Sequence, residues 1–522
     1  MGCLLISFRL FFLLRLLKIL FGIKITNKSQ NINMEEKIYE VLNKRFENCS
    51  DFVCGQINTS DNGVIQFAYI ENLINKTQAN SSIFEALKKA SDIKTEDDIL
   101  SSVTVAGSTK QTELKDIFNS ILSGFILLFF KESDICVSCP CQGYEKRAVT
   151  EPPTSAVLKG PREGFVEDIT TNLSLIRRKL KTPDLKVEEM HIGKYTQSKV
   201  CVVYISSIAD KNVVNKIKQK LKGIEIDGII DSYYLESNLE QKHSALFKQV
   251  GNTEKPEVAT SKLLEGRVVI FADGSPLALT LPFTLLEDFQ SSDDYYNHPM
   301  HSSFVRLLRL WGYIISITLP GIYVALQSFH FALLPIDFLI SIQSSIQDLS
   351  FPPLLEILVV LFLFEILNEA SIRMPKYLGM ALSIVGALVL GDTAVQAGII
   401  SPPSVIMVAV SGITLYMVPD QTATASILRL FFTVIGGVAG FYGMLLGMVA
   451  LTTYLMTFDS YGTPYFSPYA PSIKSDKKDG FMMVNNTEML TRPQSIPNIN
   501  NVRQKNRYNA RSSKKYEKTT ND

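Results

Sequence analysis

The stretch KGPREGFVEDITTNLSLIRRKLK, residues 159–181, consists of a glycine-framed, charged turn followed by a helical pattern. Its apolar residues recur at helical spacing and form one stripe, made of Phe165, Ile169, Leu173, Ile176 and Leu180. Acidic residues stand at the start of this helix and basic residues at its end, which complements the helix dipole before Thr182-Pro183 stops it. The pattern predicts an amphipathic helix that packs on a core, and it leaves only the turn before the helix unexplained.

The sequence on both sides of this helix alternates between strand and helix patterns. Downstream lie two strand patterns, three helical patterns and a hairpin that turns at Asp273-Gly274, at 186–192, 199–205, 211–222, 233–240, 257–264 and 267–281. Upstream, apolar strand patterns at 64–70 and 125–130 accompany a helical pattern at 113–124. This alternation predicts an α/β region of two subdomains, residues 35–150 and 151–303.

The second half of the chain has the composition of a membrane domain. Charged residues become sparse between Trp311 and Phe458, and Trp311 and Tyr313 are placed like interfacial anchors. Five apolar runs are candidate spans, at 310–329, 354–367, 378–395, 405–418 and 427–456. We therefore expect an all-α polytopic membrane domain of about five helices at 304–458, with the lipid bilayer as its surroundings.

The two ends of the chain differ in character from the rest. Residues 1–34 are apolar but carry internal basic residues, which fits an interfacial helix or an over-long start before Met34. Residues 459–522 form a polar, basic tail whose composition predicts disorder. Lys and Arg beside the spans place the large N-terminal domain in the cytoplasm. The side of the tail stays open, because Gly436-Gly437 could divide the last apolar run into two legs.

Composition gives little support for catalysis, a cofactor or nucleic-acid binding. The net charge is +1, and the five His residues are scattered along the sequence without a triad or a metal-ligand set. Cysteines 136, 139 and 141, with Cys49 and Cys54, are the one arrangement that could supply thiolates to zinc or an iron-sulfur cluster. Their irregular spacing disfavours a metal site, so we predict a protein that is not an enzyme and has no cofactor.

Acidic residues inside the predicted spans are candidates for function, because a carboxylate that faces lipid is costly. Glu356 and Glu369 fall near the two ends of the second span, so only Glu365 needs explaining. Two interpretations remain open for Glu365. It contributes to a pore or a subunit contact, or it pairs with Arg373 or Arg429.

The third predicted span also supports two interpretations. Small residues at helical spacing, Gly379, Ser383 and Gly386, permit close helix packing. Val385 and Val389 lie on a neighbouring face, with Asp392 toward the end of the helix, which would form a hydrophobic constriction beside a polar mouth. Close packing alone would explain the small residues, whereas a pore would explain both sets.

Five motifs together resemble a known protein family. They are GPREGFVEDITTNLSLIRRKLK, LLEGRVVIFADGSPLALTLPFT, FQSSDDYY with FVRLLR after it, FEILNEASIRMPK with SIVGALVLGDTAVQAGIISP after it, and YGTPYFSPYAP. In this order, between about residues 157 and 471, they resemble the A subunit of the GerA-type nutrient germinant receptors of spore-forming Firmicutes. One departure is Asn368-Glu369-Ala370-Ser371, where family members often have Arg-Glu-Ala-Gly.

The resemblance implies a location, partners and an activity. It implies a multi-pass protein of the inner spore membrane that works with a transporter-like B subunit and a lipoprotein C subunit. It also implies a homo-oligomer, with a pentamer as the expected number, that releases monovalent cations when a nutrient is sensed. The turn before the opening helix then becomes a family signature with interdomain or intersubunit contacts, made by Gly160, Pro161, Arg162, Glu163 and Gly164.

Two other functions are compatible with the same motifs. The first is a paralogue from the operon of the dipicolinate channel that amplifies germination without receiving a nutrient. The second is a solute transporter that moves its substrate itself, although the five predicted spans contain no clear inverted repeat.

Overall fold

The computed structural model describes residues 38–60, 63–90, 93, 95–130, 135–143, 159–242, 245–346, 351–373 and 391–504. Helix α1 (Ile38–Arg45) belongs to a unit of its own, separate from residue 46 onward. Its charges follow the helix dipole, with Glu40 in the first turn and Lys44 and Arg45 in the last.

The first sheet is antiparallel throughout and has the order β1-β2-β4-β5-β3. Its strands are β1 (Phe52–Asn58), β2 (Val64–Ile70), β3 (Thr109–Gln111), β4 (Phe125–Phe130) and β5 (Cys136–Pro140). The helices beside it are α2 (Lys76–Ala79), continued by a π-helical turn (Asn80–Phe84) into α3 (Glu85–Lys89), then α4 (Glu96–Ser102) and α5 (Leu114–Ile121). The buried pattern of β4 explains why FILLFF is apolar throughout.

The second sheet is also antiparallel and has the order β6-β7-β9-β10-β8. Its strands are β6 (Leu185–Ile192), β7 (Ser198–Ile205), β8 (Gly251–Thr253), β9 (Val268–Ala272) and β10 (Ala278–Leu281). The accompanying helices are α6 (Ile169–Lys179), α7 (Lys211–Lys222), α8 (Ser232–Leu239) and α9 (Pro256–Glu265). The predicted α/β region is thus confirmed, and the hairpin around Asp273-Gly274 pairs Leu279 with Ile270.

Both faces of the second sheet are covered, which explains its continuous apolar runs. Along β7, Val200 and Val202 face one core with α7 and α8, whereas Cys201 and Val203 face a second core with α6 and α9. This alternation follows from the two-residue period of a strand. The stripe predicted on the opening helix lies in the second of these cores, together with Phe271.

The C-terminal half is helical. Its helices are α10 (Pro299–Ser328), α11 (Ile336–Ile346), α12 (Pro353–Arg373), α13 (Pro402–Leu415) and α14 (Thr422–Met456). Among the described residues, two helical stretches have the length and apolar character to cross a membrane, Pro299–Ser328 and Pro419–Met456. The predicted number of five spans remains a prediction, because most of the third predicted span lies outside the described residues.

Helix α14 is a hairpin of two legs that turns at Gly440, where φ is +60°. Thr424, at its start, donates a hydrogen bond to the carbonyl of Leu246, and Thr457, just past its end, accepts one from Lys242. A straight helix of 35 residues would be about 52 Å long, whereas residues 242 and 246 are at most about 14 Å apart along the chain. Both ends of α14 therefore lie beside the α/β region.

Small residues allow the first leg of α14 to lie directly on α10. A Cβ atom on Gly436 would lie 2.3 Å from the carbonyl oxygen of Gly321, and one on Gly321 would lie 2.5 Å from the carbonyl oxygen of Phe432. Such backbone contact is typical of close helix packing in membranes. Gly436-Gly437 is one candidate that the sequence offers for such a turn, but Gly436 makes this contact instead and Gly440 makes the turn.

The C-terminal segment (residues 459–504) is folded on the α/β region, which corrects the prediction of disorder for this part of the tail. Tyr465 is 1% exposed, donates a hydrogen bond to the carbonyl of Lys248, and packs between Phe283 and Phe458. Further along, the backbone N–H of Ile499 donates to the carbonyl of Ile208. The prediction failed because a few scattered apolar residues hold a segment whose average composition is polar.

Candidate functional site

Five side chains meet where the α/β region joins the first long helix, and we call them the junction cluster: Asp294, Tyr295, Arg306, Arg309 and Asp479. Arg306 donates from Nε to Asp294 at 3.0 Å and from Nη1 to Asp479 at 3.0 Å. Arg309 donates to both carboxylate oxygens of Asp294, at 2.8 Å to the oxygen that Arg306 also binds and at 3.1 Å to the other. The cluster thereby ties together the approach to α10, the helix itself and the C-terminal segment.

Local sequence places Asp294 in this cluster. The 3-10 turn Ser292–Tyr296 begins with a capping box in which Ser291 and Asp294 bond each other's backbone. Helix α10 then starts with His298 as its N-cap and Pro299 in the first turn. The helix carries Arg306 and Arg309, three residues apart, back toward Asp294.

Burial gives the junction cluster its electrostatic character. Asp294 is 3% exposed and Arg306 is fully buried. Burial raises the pKa of Asp479, and the Arg306 guanidinium opposes that rise only in part. Tyr295 donates to Asp479 at 2.9 Å, and its ring lies 5.2 Å from the Arg306 guanidinium carbon. The charges are therefore held in one arrangement, with little water to replace a lost partner.

The turn Gly160–Gly164 lies beside the approach to α10. A Cβ atom on Gly160, whose φ is +122°, would lie 2.6 Å from the ring of Tyr296. Glu163 forms ion pairs with Arg178 at 3.2 Å and Lys179 at 3.5 Å, within the opening stretch itself. Of the remaining turn residues, Pro161 is half-buried, Arg162 is exposed and Gly164 is buried. The predicted interdomain or intersubunit role of this turn stays a prediction.

The link between the two sheets is made by Arg177, a residue that the sequence assigned only to the helix dipole. Arg177 donates from Nε and Nη2 to the two carboxylate oxygens of Asp51, both at 2.8 Å, and both side chains are buried. Next to this pair, Ser50 donates to the carbonyl of Val187. The spacing of the sequence carries one signal of this burial. Arg177 follows Leu173 by four residues and therefore lies on the buried face of the helix.

A second buried charge group joins the α/β region to the loop before α14. Lys248 lies 2.8 Å from Asp288, and Gln421 donates to the other carboxylate oxygen of Asp288 at 2.6 Å. Burial, together with the nearby carboxylate of Asp420, raises the pKa of Asp288 to about 6, and Lys248 only partly offsets this. The ammonium of Lys248 stays charged, because Asp288 and Asp420 outweigh its burial and raise its pKa.

We expect Asp288 to make stability depend on pH. Its folded pKa of about 6 exceeds the ordinary value of 3.8, so the folded chain binds more protons between these pH values. The raised pKa of Asp288 therefore stabilises the folded chain by about 3 kcal/mol below about pH 4. This stabilisation is lost as the pH rises through 6. Thermal unfolding of the wild type and Asp288→Asn at pH 4 and pH 7 measures it. A stability difference that is the same at both pH values would contradict the assignment.

In the helical region Glu365 pairs with Arg429, which is one of the two partners that the sequence allowed. Glu356 is buried and accepts a hydrogen bond from the backbone of Ser401, at the start of α13. Asp392 is exposed and accepts from Gln396 at 2.8 Å. The other predicted residues of the third span, Val385, Val389, Gly379, Ser383 and Gly386, lie outside the described residues.

The cysteine-rich strand β5 is part of the core of the first sheet. Cys136, Cys139 and Cys141 are buried, and Cys139 packs with Ile126 and Val137. Burial raises the pKa of Cys139 to about 11 and also raises that of Cys136. Burial therefore keeps these thiols protonated at neutral pH, as expected of cysteines that pack in a core. Across the described parts of the chain, no three His, Cys, Asp or Glu side chains are grouped to hold a metal.

A family model described as "Bacillus/Clostridium GerA spore germination protein" matches residues 40–495. The chain belongs to this family. Among its relatives, spore germination protein KA of Bacillus subtilis is 35% identical over 469 residues, covering 88% of this chain and 86% of that protein. Spore germination protein GerLA of Bacillus cereus is 34% identical over 396 residues, covering 76% of this chain and 80% of that protein.

Two further similarities concern a membrane protein and a solved structure. The uncharacterized membrane protein YfkQ of Bacillus subtilis is 33% identical over 467 residues, covering 88% of this chain and 91% of its own. The crystal structure of the N-terminal domain of the A subunit of the Bacillus megaterium spore germinant receptor GerK3 is 30% identical. It covers 47% of this chain and 92% of that domain, with a TM-score of 0.37. Membership of the GerA family agrees with the resemblance carried by the five sequence motifs.

Proposed function

We propose that this chain is the A subunit of a spore nutrient germinant receptor, with a multi-pass location in the inner spore membrane. Its role is that of a receptor and channel subunit without catalytic activity. Copies of the chain form a homo-oligomer, expected to be a pentamer, that releases monovalent cations at the start of germination. Family membership and the spore germination proteins among its relatives support this function.

The observation that carries the proposal is the junction cluster. Arg306 connects α10 to the approach segment through Asp294 and to the C-terminal segment through Asp479. Because both ends of α14 also contact the α/β region, a change in that region reaches α10 and α14 together. Such a rigid connection is what a two-state receptor needs in order to pass a binding event to its helices.

The partners follow from the same assignment. A transporter-like B subunit and a lipoprotein C subunit complete the receptor, and the nutrient binds to the assembly. The α/β region lies in the cytoplasm, because Lys and Arg are concentrated beside the spans on that side. The C-terminal segment packs on the α/β region and therefore lies on the same side.

The pore is proposed to involve the third predicted span, with Val385 and Val389 as its constriction. Asp392, exposed near the end of this span, provides a polar mouth. Glu365 is a weaker candidate, since its pairing with Arg429 satisfies its charge within the subunit. The small residues Gly379, Ser383 and Gly386 would let this helix pack closely on a neighbour.

Replacing Val385 or Val389 by Ala tests the proposed pore. A shorter side chain widens a hydrophobic constriction, so we expect monovalent cations to leave dormant spores without a nutrient. The measurement is cation release from spores that carry each variant as the sole copy of the protein. Val410→Ala makes the same chemical change on an exposed position of α13 and should leave release unchanged. Wild-type release in both test variants would refute the pore assignment.

A further inference from the structure

A small cavity of about 70 Å³ lies between the α/β region and the C-terminal segment. Its walls come from α9, the 3-10 turn Leu285–Phe289 and the C-terminal segment. A single water needs roughly 10–15 Å³, so the cavity has room for a small ion or molecule rather than one water alone. It lies outside the helical region, so its role does not depend on the proposed pore.

The carboxylates around the cavity already have partners. Glu287 accepts from Lys262 and Arg267, which outweigh its burial and lower its pKa to about 2. Asp476 accepts from two backbone N–H groups, those of residues 494 and 495, at 2.9 and 2.7 Å. Asp479 is bound by Arg306 in the junction cluster. These carboxylates therefore do not call for a cationic ligand.

Several donors around the cavity, in contrast, are unused or make only a long contact among the described residues. Ser467 is 2% exposed, and its hydroxyl has no hydrogen-bond partner. Arg267 is 4% exposed and uses Nε and Nη1 for protein contacts, whereas its Nη2 makes none. Two exposed basic side chains line the rim of the cavity. The ammonium of Lys478 donates only to the carbonyl of Glu488, at 3.5 Å, and the guanidinium of Arg503 donates only to the sulfur of Met489, at 3.9 Å.

We propose that this cavity binds a small oxyanion, a carboxylate or a phosphate group. The buried Ser467 hydroxyl and Arg267 Nη2 supply donors inside, and Lys478 and Arg503 supply positive charge at the rim. Charge-assisted hydrogen bonds of this kind are about twice as strong as neutral ones. Free hydrogen-bond donors bind an anion. The carboxylates around the cavity already accept hydrogen bonds from the protein and therefore would bind a cation only weakly.

The position of the cavity gives the anion a structural consequence. Lys478 directly precedes Asp479, which lines the cavity and also binds Arg306. A bound oxyanion would thus fasten the C-terminal segment to the α/β region beside the junction cluster. Because a ligand that binds only the folded state stabilises it, binding should raise the unfolding temperature.

The test uses the full chain in lipid nanodiscs, titrated in separate series with sodium phosphate and sodium acetate. Ionic strength is held constant with sodium chloride, and calorimetry gives the dissociation constant. We expect saturable binding of at least one of the two, and the comparison shows whether the tetrahedral or the planar oxyanion is preferred. Lys478→Gln and Arg503→Gln should each weaken binding roughly tenfold, the equivalent of one charge-assisted hydrogen bond.

Two further variants separate a specific site from general charge effects. Ser467→Ala removes only the buried hydroxyl and should weaken binding severalfold without a change of charge. Lys211→Gln removes an exposed positive charge at the start of α7 and should leave the dissociation constant unchanged. The proposal is overturned if neither anion binds saturably, or if Ser467→Ala, Lys478→Gln and Arg503→Gln all bind as the wild type does.

Discussion

Replacing Arg306 by Gln is expected to lower the free energy of unfolding by about 3 kcal/mol, since it removes the cation that binds Asp479 and one of the two cations that bind the buried Asp294. The estimate is at the lower end for buried pairs because Asp294 keeps Arg309 and the Asp479 side chain is 27% exposed. Thermal unfolding of the purified chain measures the loss. The C-terminal segment should also become more sensitive to limited proteolysis, because Arg306 holds the carbonyl of Gly480 at 2.7 Å.

A matched variant distinguishes the junction cluster from ordinary surface pairing. Arg373 pairs with Glu369 on an exposed face of α12, with 78% and 59% of the two side chains accessible. Arg373→Gln should therefore change stability by less than about 1 kcal/mol. If Arg306→Gln and Arg373→Gln had equal effects, the cluster would not be the connection between α10 and the C-terminal segment. Impaired germination in Arg306→Gln spores alone would additionally support the proposed function.

Replacing Asp51 by Asn is the substitution in the α/β region for which we expect the largest effect. It should lower the free energy of unfolding by roughly 3–5 kcal/mol. The substitution keeps the shape of the side chain but leaves the guanidinium of Arg177, which is 1% exposed, without a negative partner. Arg177 cannot lose its proton to escape this cost, because arginine stays charged in proteins. Urea unfolding of the variant and the wild type provides the comparison.

Two further variants test the origin of that loss. Glu163→Gln breaks a half-exposed pair with Arg178 in the same stretch and should cost less than about 1 kcal/mol. The double variant Asp51→Leu with Arg177→Met removes both charges and should recover most of the stability. A double variant as unstable as Asp51→Asn would mean that packing, not charge pairing, holds the two sheets together at this point.

The parts of the fold that were predictable are those with a local signal. The apolar residues of the stripe on the opening helix recur at helical spacing within 16 residues, and all of them lie in one core. The hairpin of β9 and β10 has two apolar runs on either side of Asp273-Gly274, and it forms as expected. Strands β1, β3, β5 and β8 were not predicted. In β3 and β8, three residues carry too little periodicity.

The division into an α/β region and a helical region, and the candidate residues of the family motifs, could be predicted from the amino-acid sequence alone. Periodicity and composition decide these features, since each acts over a few neighbouring residues. The pairing of Arg177 with Asp51, 126 positions away, and of Arg306 with Asp479, 173 positions away, became visible only in the three-dimensional fold. The same holds for the turn of α14 at Gly440, which returns the end of this helix to the α/β region. Such pairings depend on which buried surfaces meet, because a charge removed from water must find its partner wherever the fold brings one.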